Sequence, residues 1–559
     1  MNPRALPLLA ALSLVLPALA SARPADAPAA TRCAVPHLRA EIGEAAWAEP
    51  SLARSACDQT PVGPPANPTI GSSWDWYLWR LAGFPVADLR SCTVRGMGDH
   101  CYVVVEDSQW NVNIDQTRVD TIVDFFENSS LGSTPNQGIW DLNTAAFGDP
   151  PDNLDQDPRV YILYYDFDVS SDGFFWSFDQ QCDDVAQFHS NECDVIYMNC
   201  SDFDPAGSYL LAVLAHEFEH LIHYNYDANE AGWVDEGLAE LAMWYFGDPD
   251  NISQFNTQPD RQLTVFNGNW YDYIKSYLWT LYFYERYGGT PSIRALVAEP
   301  ANSIAGYDAV LDAQLYSENF DDVFSDWVVA NYLDDPSIGD GRFGYVGETL
   351  PAFQPFITVS TYPIGPNASG VNHWAADYAR YQSASSPTMT FDGSDTNLFA
   401  VRAMLFEPPA TTQVVDMPLD ALQAGLLTLP TIDPADEVVM VYASKSTAGG
   451  TAYQYGASEA QVDAPEIPTG FALQLSVAGL PTSDPRVRFA LPAGAPASLD
   501  IVDVSGRRVR TLAQDLPAGA GEIVWDRRDD AGHAAAAGAY FVRLVQGDES
   551  RVAKTIVVR

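Results

Sequence analysis

Residues 214–241 read LAHEFEHLIHYNYDANEAGWVDEGLAEL, with three histidines and seven acidic residues in twenty-eight positions. Within it His216, Glu217 and His220 form an H-E-x-x-H pattern. On a helix, positions i and i+4 share one face, so both imidazoles can point at a single ion. Leu211, Leu214, Phe218, Leu221 and Ile222 surround the pattern and predict a helix buried on its other sides. Burying two histidines and several carboxylates with nothing between them is costly, so the interior here must be organised around a cation. A merely solvated helix face is the weaker reading. Glu217, beside the first imidazole, stands where a base can take a proton from a metal-activated water.

A catalytic zinc needs a third protein ligand and one open position. His223 lies one turn further along the same helix, where three ligands give poor tetrahedral geometry. The extended metzincin pattern fails, since His223 and Tyr226 stand where it needs glycine and histidine. Glu236 and Glu240 remain, on a second expected helix, WVDEGLAELAMWYFG, beyond a loop rich in Asn and Asp. Glu236 is the favoured ligand. Glu240, one turn later, is then free to accept a hydrogen bond from a ligand imidazole.

Short β-type runs start near residue 69 and lead through CYVVVED to a helical stretch, QTRVDTIVDFFENS. The runs RVYILYYDFD and DVIYMNC follow, then helical signals through FDDVFSDWVVANYL. Strands first and helices after predict one α+β domain over 69–350, with an N-terminal β portion at 69–110. Beyond 355, runs such as PTMTFDG, LFAVRAML and EVVMVYAS recur between turn residues and predict a β-sandwich at 355–462. After a linker, residues 470–559 show short strands again, with a hairpin turn at Val504-Ser505-Gly506-Arg507, and predict a small immunoglobulin-like domain. The expected fold is thus an α+β catalytic domain followed by two all-β sandwich domains.

The pair LAHEFEHLIHYNYD and WVDEGLAELA resembles the gluzincin metallopeptidases, most closely the hyicolysin-like bacterial secreted family. The resemblance spans about residues 69–350. It implies a zincin-type fold and a Zn2+ site of His216, His220 and Glu236, with Glu217 as general base. It also makes Tyr273, opening YIKSYL, a candidate to stabilise the oxyanion; a core tyrosine is the equal alternative. The last ninety residues resemble the flagellar hook-cap-type immunoglobulin-like domain through DVSGRRVRTL, VWDRRDDAG and GAYFVRL, with Arg527 in place of the usual glycine of a W-D-G turn. Such tails serve export or surface attachment.

The remaining features bear on compartment and regulation. MNPRALPLLAALSLVLPALASA reads as a signal peptide over 1–22, and no later run is long and apolar enough to cross a membrane. Residues 23–68, rich in Ala and Pro, read as a propeptide or leader rather than a folded domain. A net charge of -45 argues against a nucleic-acid partner. Seven cysteines fit an oxidising compartment, with Cys92–Cys101 and Cys182–Cys193 as plausible local disulfides and one cysteine left unpaired. The segment TRCAVPHLRA loosely resembles the cysteine switch of matrixins, though a Cys33–Cys57 disulfide is the favoured reading. Asp149, Asp152, Asp155 and Asp157 form either a Ca2+ loop or, the favoured reading, a solvated turn. Together these predict a secreted bacterial zinc metalloendopeptidase acting on proteins or peptides, extracellular or on the cell surface. The rival is a non-catalytic surface or adhesion protein that keeps a peptidase fold as a binding scaffold.

Overall fold

In a computed structural model of the chain, the described residues are 32–48, 63–152, 154–183, 187–407, 411–459 and, in the C-terminal part, 474–478, 485–491, 496–516, 519–547 and 549–557. The expected signal peptide lies outside them, as does Cys57. The leader differs from its expectation. Residues after Arg32 form α1 (Val35–Ile42) and α2 (Glu44–Trp47), and Cys33, Val35, Leu38 and Trp47 are buried in the main core. Pro36 in the first turn suits a helix start, because its missing N–H has no partner to lose there. Composition hid these short helices, whose stability comes from the surface they cover.

Three antiparallel strands open the domain: β1 (Ser73–Arg80), β2 (Val86–Met97) and β3 (Cys101–Glu106). Two helices follow, α3 (Gln116–Glu127) and α4 (Ile139–Ala146). Asp115 caps α3 by accepting from the Arg118 N–H at 3.0 Å, and Val119, Ile122 and Phe126 form its buried stripe. Then come β4 (Val160–Tyr165), β5 (Gly173–Phe175) and β6 (Val195–Asn199), giving one six-stranded sheet in the order β1-β2-β3-β4-β6-β5. β3, β4 and β6 run parallel and are buried throughout, which is why their sequences are continuous apolar runs instead of alternating ones. β5 is antiparallel to β6 and forms the sheet's edge.

The sheet is followed by α5 (Ser208–Tyr226), α6 (Gly232–Phe246), α7 (Trp270–Arg286), α8 (Thr290–Val297), α9 (Ile304–Ala313) and α10 (Phe320–Leu333). α5 is buried from Tyr209 to Tyr224, which explains its lack of a polar face. α6 ends at Gly247, whose φ of 100° is the left-handed cap that glycine adopts without strain. Gly237 sets the approach of α6 to α7. A Cβ there would lie 2.5 Å from Thr280 Oγ1 and 2.9 Å from the Ser276 carbonyl.

The expected sandwich is present as nine strands, β7 (Ile357–Val359), β8 (Ile364–Gly370), β9 (Ala375–Ala384), β10 (Thr388–Gly393), β11 (Phe399–Phe406), β12 (Gln413–Met417), β13 (Ala424–Thr428), β14 (Ile432–Ser444) and β15 (Ala452–Ser458). They form a sheet β12-β11-β14-β9-β7 over a sheet β13-β10-β15-β8. It is not set apart from the helices. Val438, Met440 and Tyr442 of β14 point between the two sheets, whereas Val439, Val441 and Ala443 belong to the core shared with α10. A strand buried on both faces explains the unbroken run EVVMVYA.

The C-terminal part has seven strands in a three-stranded and a four-stranded sheet around Val487, Leu499, Ile501, Trp525, Val542 and Leu544. The turn at 504–507 joins two of them as expected, with Gly506 at φ 82°. Arg527 takes φ 52°, so it adopts the backbone that a glycine would take more easily. The final strand, Glu549–Val557, lies at a sheet edge. Among the described residues, no helix is long and apolar enough to cross a membrane.

The disulfide expectations fail. Cys33, Cys92, Cys101 and Cys193 are all free thiols, which excludes Cys33–Cys57, Cys92–Cys101 and Cys182–Cys193; Cys182 is disulfide-bonded, but not to Cys193. The β2–β3 register gives the reason for the second, since Cys92 stands opposite Glu106 while Cys101 opens the other end of β3.

Candidate metal centre

Helix α5 presents His216, Glu217 and His220 to one point, and the first turns of α6 bring Glu236 to it. His216 Nε2 lies 3.2 Å from His220 Nε2 and 3.3 Å from Glu236 Oε2, and His220 Nε2 lies 3.8 Å from Glu236 Oε1. All three side chains are at most 2% exposed. Neither Glu236 oxygen has a hydrogen-bond partner among the described residues. Such a carboxylate is expensive to bury, as are two imidazole nitrogens facing each other, because a proton can sit between them on only one.

A cation removes both costs. Two nitrogens held about 2.0–2.1 Å from one tetrahedral zinc stand about 3.3 Å apart, close to the observed separations. The donor set, two imidazoles and a carboxylate, is that of a zinc site with a position to spare. The residues present therefore fit zinc.

The surrounding groups orient the ligands. His220 Nδ1 faces Asp235 Oδ1 at 3.2 Å, and His223 Nδ1 reaches the same oxygen at 3.0 Å. A proton on His220 Nδ1 directed at Asp235 leaves the Nε2 lone pair free for a metal. His223 is thus not a ligand but shares the partner that fixes His220. Asp235 is itself held by the Arg39 guanidinium at 3.0 Å. Glu240 Oε1 lies 3.3 Å from His216 Nδ1, without the geometry of a hydrogen bond, and accepts from Arg32 Nη1 at 3.0 Å.

The electrostatics describe a centre that demands positive charge. Burial disfavours an imidazolium at His216, yet Glu236 and Glu240 outweigh it and raise His216 to about 9. Burial likewise opposes charge on His220, and Asp235 and Glu236 raise it to about 10. Burial lifts Glu217 above the usual carboxylate range, partly offset by the two histidines. Glu217 sits against the sheet edge. A Cβ on Gly173 would lie 2.8 Å from Glu217 Cγ, so only glycine lets β5 approach the base this closely.

Tyr273, on α7, is brought to the same place. Its ring centre is 6.3 Å from that of His216, and its hydroxyl donates to the Cys33 carbonyl at 3.4 Å. Cys33 stands beside these side chains as the cysteine-switch likeness of TRCAVPHLRA implied, and not in the disulfide that was the favoured reading. Its Sγ is 3.6 Å from His220 Nε2 and donates to Glu217 Oε2 at 3.4 Å. Cys33, His216, His220 and Glu236 together place four ligand atoms within 4.8 Å of one another.

Asp235 and Gly173 were missed. Asp235 carried a signal, since it sits beside Glu236 on the helix facing the histidines; Gly173 had none.

The acidic turn is only partly as expected. Asp152 and Asp155 come together with Asp194, which was not anticipated, and burial pushes Asp155 up to about 7. Asp157 instead accepts from the Tyr102 hydroxyl at 2.8 Å, and Asp149 is not among the three.

Comparison with known proteins identifies one part of the chain. Residues 476–550 match the family model of the FlgD Ig-like domain. No curated protein matches the chain. Solved structures similar to parts of it include PorZ, a surface component of the type-IX secretion system of Porphyromonas gingivalis, at 28% identity over 13% of this chain and 9% of that one, with a TM-score of 0.11. A biofilm-associated protein BSP domain shares 11% identity over 32% and 45% of the two chains, with a TM-score of 0.11. A β-1,2-glucanase from Parabacteroides distasonis shares 8% over 33% and 31%, with a TM-score of 0.12. The chain therefore spans less than half the length of each of these structures.

Proposed function

We propose that this chain is a secreted zinc metallopeptidase that hydrolyses peptide bonds in protein or peptide substrates. The observation that carries the reading is the convergence of two imidazole Nε2 atoms and an unpartnered buried carboxylate, with Glu217 beside them at the edge of a sheet. His216, His220 and Glu236 would hold Zn2+, which when bound polarises a carbonyl and acidifies a water. Asp235 fixes the tautomer of His220, and Glu240 stands 3.3 Å from His216 Nδ1 on the side away from the metal. Glu217 Oε2 takes the proton of the attacking water and returns it to the leaving amine. The Tyr273 hydroxyl, which already donates to a backbone carbonyl here, donates to the carbonyl oxygen of the bond being cleaved. Edge strand β5 offers a substrate backbone hydrogen bonds beside these groups.

The apparent signal peptide supports export, and the FlgD Ig-like match supports a C-terminal module for export or surface attachment. The test compares Glu217→Gln with wild type after removal of residues 1–48, in metal content and casein cleavage. The variant should keep its zinc and lose cleavage by about 100-fold or more. Retained cleavage would refute the assigned base, and a zinc-loaded but inactive wild type would favour a binding scaffold.

A further inference from the structure

Every group of the centre is buried, and the chain's own leader packs directly against it. The Asp172 N–H donates to the Arg32 carbonyl at 2.8 Å, and the Ala34 N–H donates to the Gly173 carbonyl at 3.0 Å. The leader thus pairs with the edge strand β5 that a substrate backbone would use. Arg32, 1% exposed, anchors it by donating to Glu240 at 3.0 Å and to Asp250. Arg39 adds bonds to Asp235 at 3.0 Å and to the Glu230 carbonyl at 2.8 Å. Between these anchors Cys33 enters the ligand set, 0% exposed. Sulfur about 2.3 Å and nitrogen about 2.0–2.1 Å from one tetrahedral zinc stand about 3.6 Å apart. Cys33 Sγ and His220 Nε2 are 3.6 Å apart.

We propose that residues 32–48 are an inhibitory leader whose Cys33 occupies the fourth position of the metal and holds the enzyme latent until the leader is removed. The inference rests on the zinc-site reading above. The carboxylate of Glu236, whose oxygens have no hydrogen-bond partner among the described residues, lies within 4.8 Å of the Cys33 sulfur. With a metal bound, the Cys33 sulfur would hold the position meant for water, and at 3.4 Å from Glu217 Oε2 it would also cover that carboxylate. Both the water position and the base are then blocked at once. Removal of the leader would free both that position and Glu217. The free state of Cys33 is essential to this, since a disulfide would remove the ligand.

The experiment loads the full-length chain, leader retained, with Co2+ in place of zinc and reads the near-ultraviolet sulfur-to-cobalt charge-transfer absorption. The band should be present in wild type and absent in Cys33→Ser, with cobalt still bound. Zinc-loaded wild type should be silent toward casein until its leader is removed. Bound cobalt with no sulfur band in wild type would overturn latency while leaving the metal site standing. A wild-type chain that takes up no cobalt would overturn both. Should Cys33→Ser fail to fold, the wild-type spectrum decides alone.

Discussion

Asp235 shows how much of this site lies one contact away from the ligands. It meets His220 and His223 at 3.2 and 3.0 Å and is itself gripped by Arg39. Asp235→Asn should therefore weaken zinc binding by about 10–100-fold, the usual cost of losing a group that orients a ligand, as measured by competition with a chromogenic chelator. Glu236→Gln should cost much more than Glu240→Gln in the same assay, because Glu236 stands with its oxygens 3.3 and 3.8 Å from the two imidazole Nε2 atoms, whereas Glu240 is engaged by Arg32. The reverse ranking would move the ligand to Glu240. The residues that sequence exposed were those tied by helical spacing: His216 and His220 are four apart, and Glu217 lies between them. Cys33 lies 184 positions before Glu217, and since no periodicity links residues that far apart, only the loose likeness of TRCAVPHLRA to a cysteine switch pointed to it.

At the scale of elements, two glycines set the spacing that lets the site form. Gly173→Ala would drive β5 against Glu217, with a Cβ 2.8 Å from its Cγ. In protein freed of its leader, cleavage should fall further than zinc content, since the base is displaced and the ligands are not. Equal losses would contradict this. Gly237→Ala would instead crowd the Ser276 carbonyl and wedge α6 from α7, which should cost about 1–3 kcal/mol of stability in denaturant titration. The pattern of strands and helices was readable because each burial state leaves its period. Continuous apolar runs marked β3, β4 and β6, and a helical stripe marked α3. Pairing was not readable. Cys92 and Cys101 are near in sequence yet at different ends of their hairpin, because strand register is decided by the whole sheet.

The molecule as a whole joins its helical part to the sandwich through a buried ionic contact. Arg402 on β11 donates to Asp326 at 2.6 Å and to the Ser325 carbonyl at 2.8 Å on α10, and to Asp416 on β12 at 2.7 Å. Arg402→Ala would leave Asp326 buried beside a lost partner and should cost about 3–5 kcal/mol, seen as a lower Tm by calorimetry. Sequence placed the sandwich correctly but not its docking, since the run EVVMVYA reads the same whether its second face meets a sheet or a helix. The molecule centres on one buried site, where His216, His220 and Glu236 offer a donor set that fits zinc. The most direct test is the zinc content of the purified full-length chain against His220→Ala, both checked for folding by circular dichroism. Wild type should carry about one zinc per chain and the variant almost none. A folded wild type without metal, or a variant that binds as much as wild type, would contradict the account.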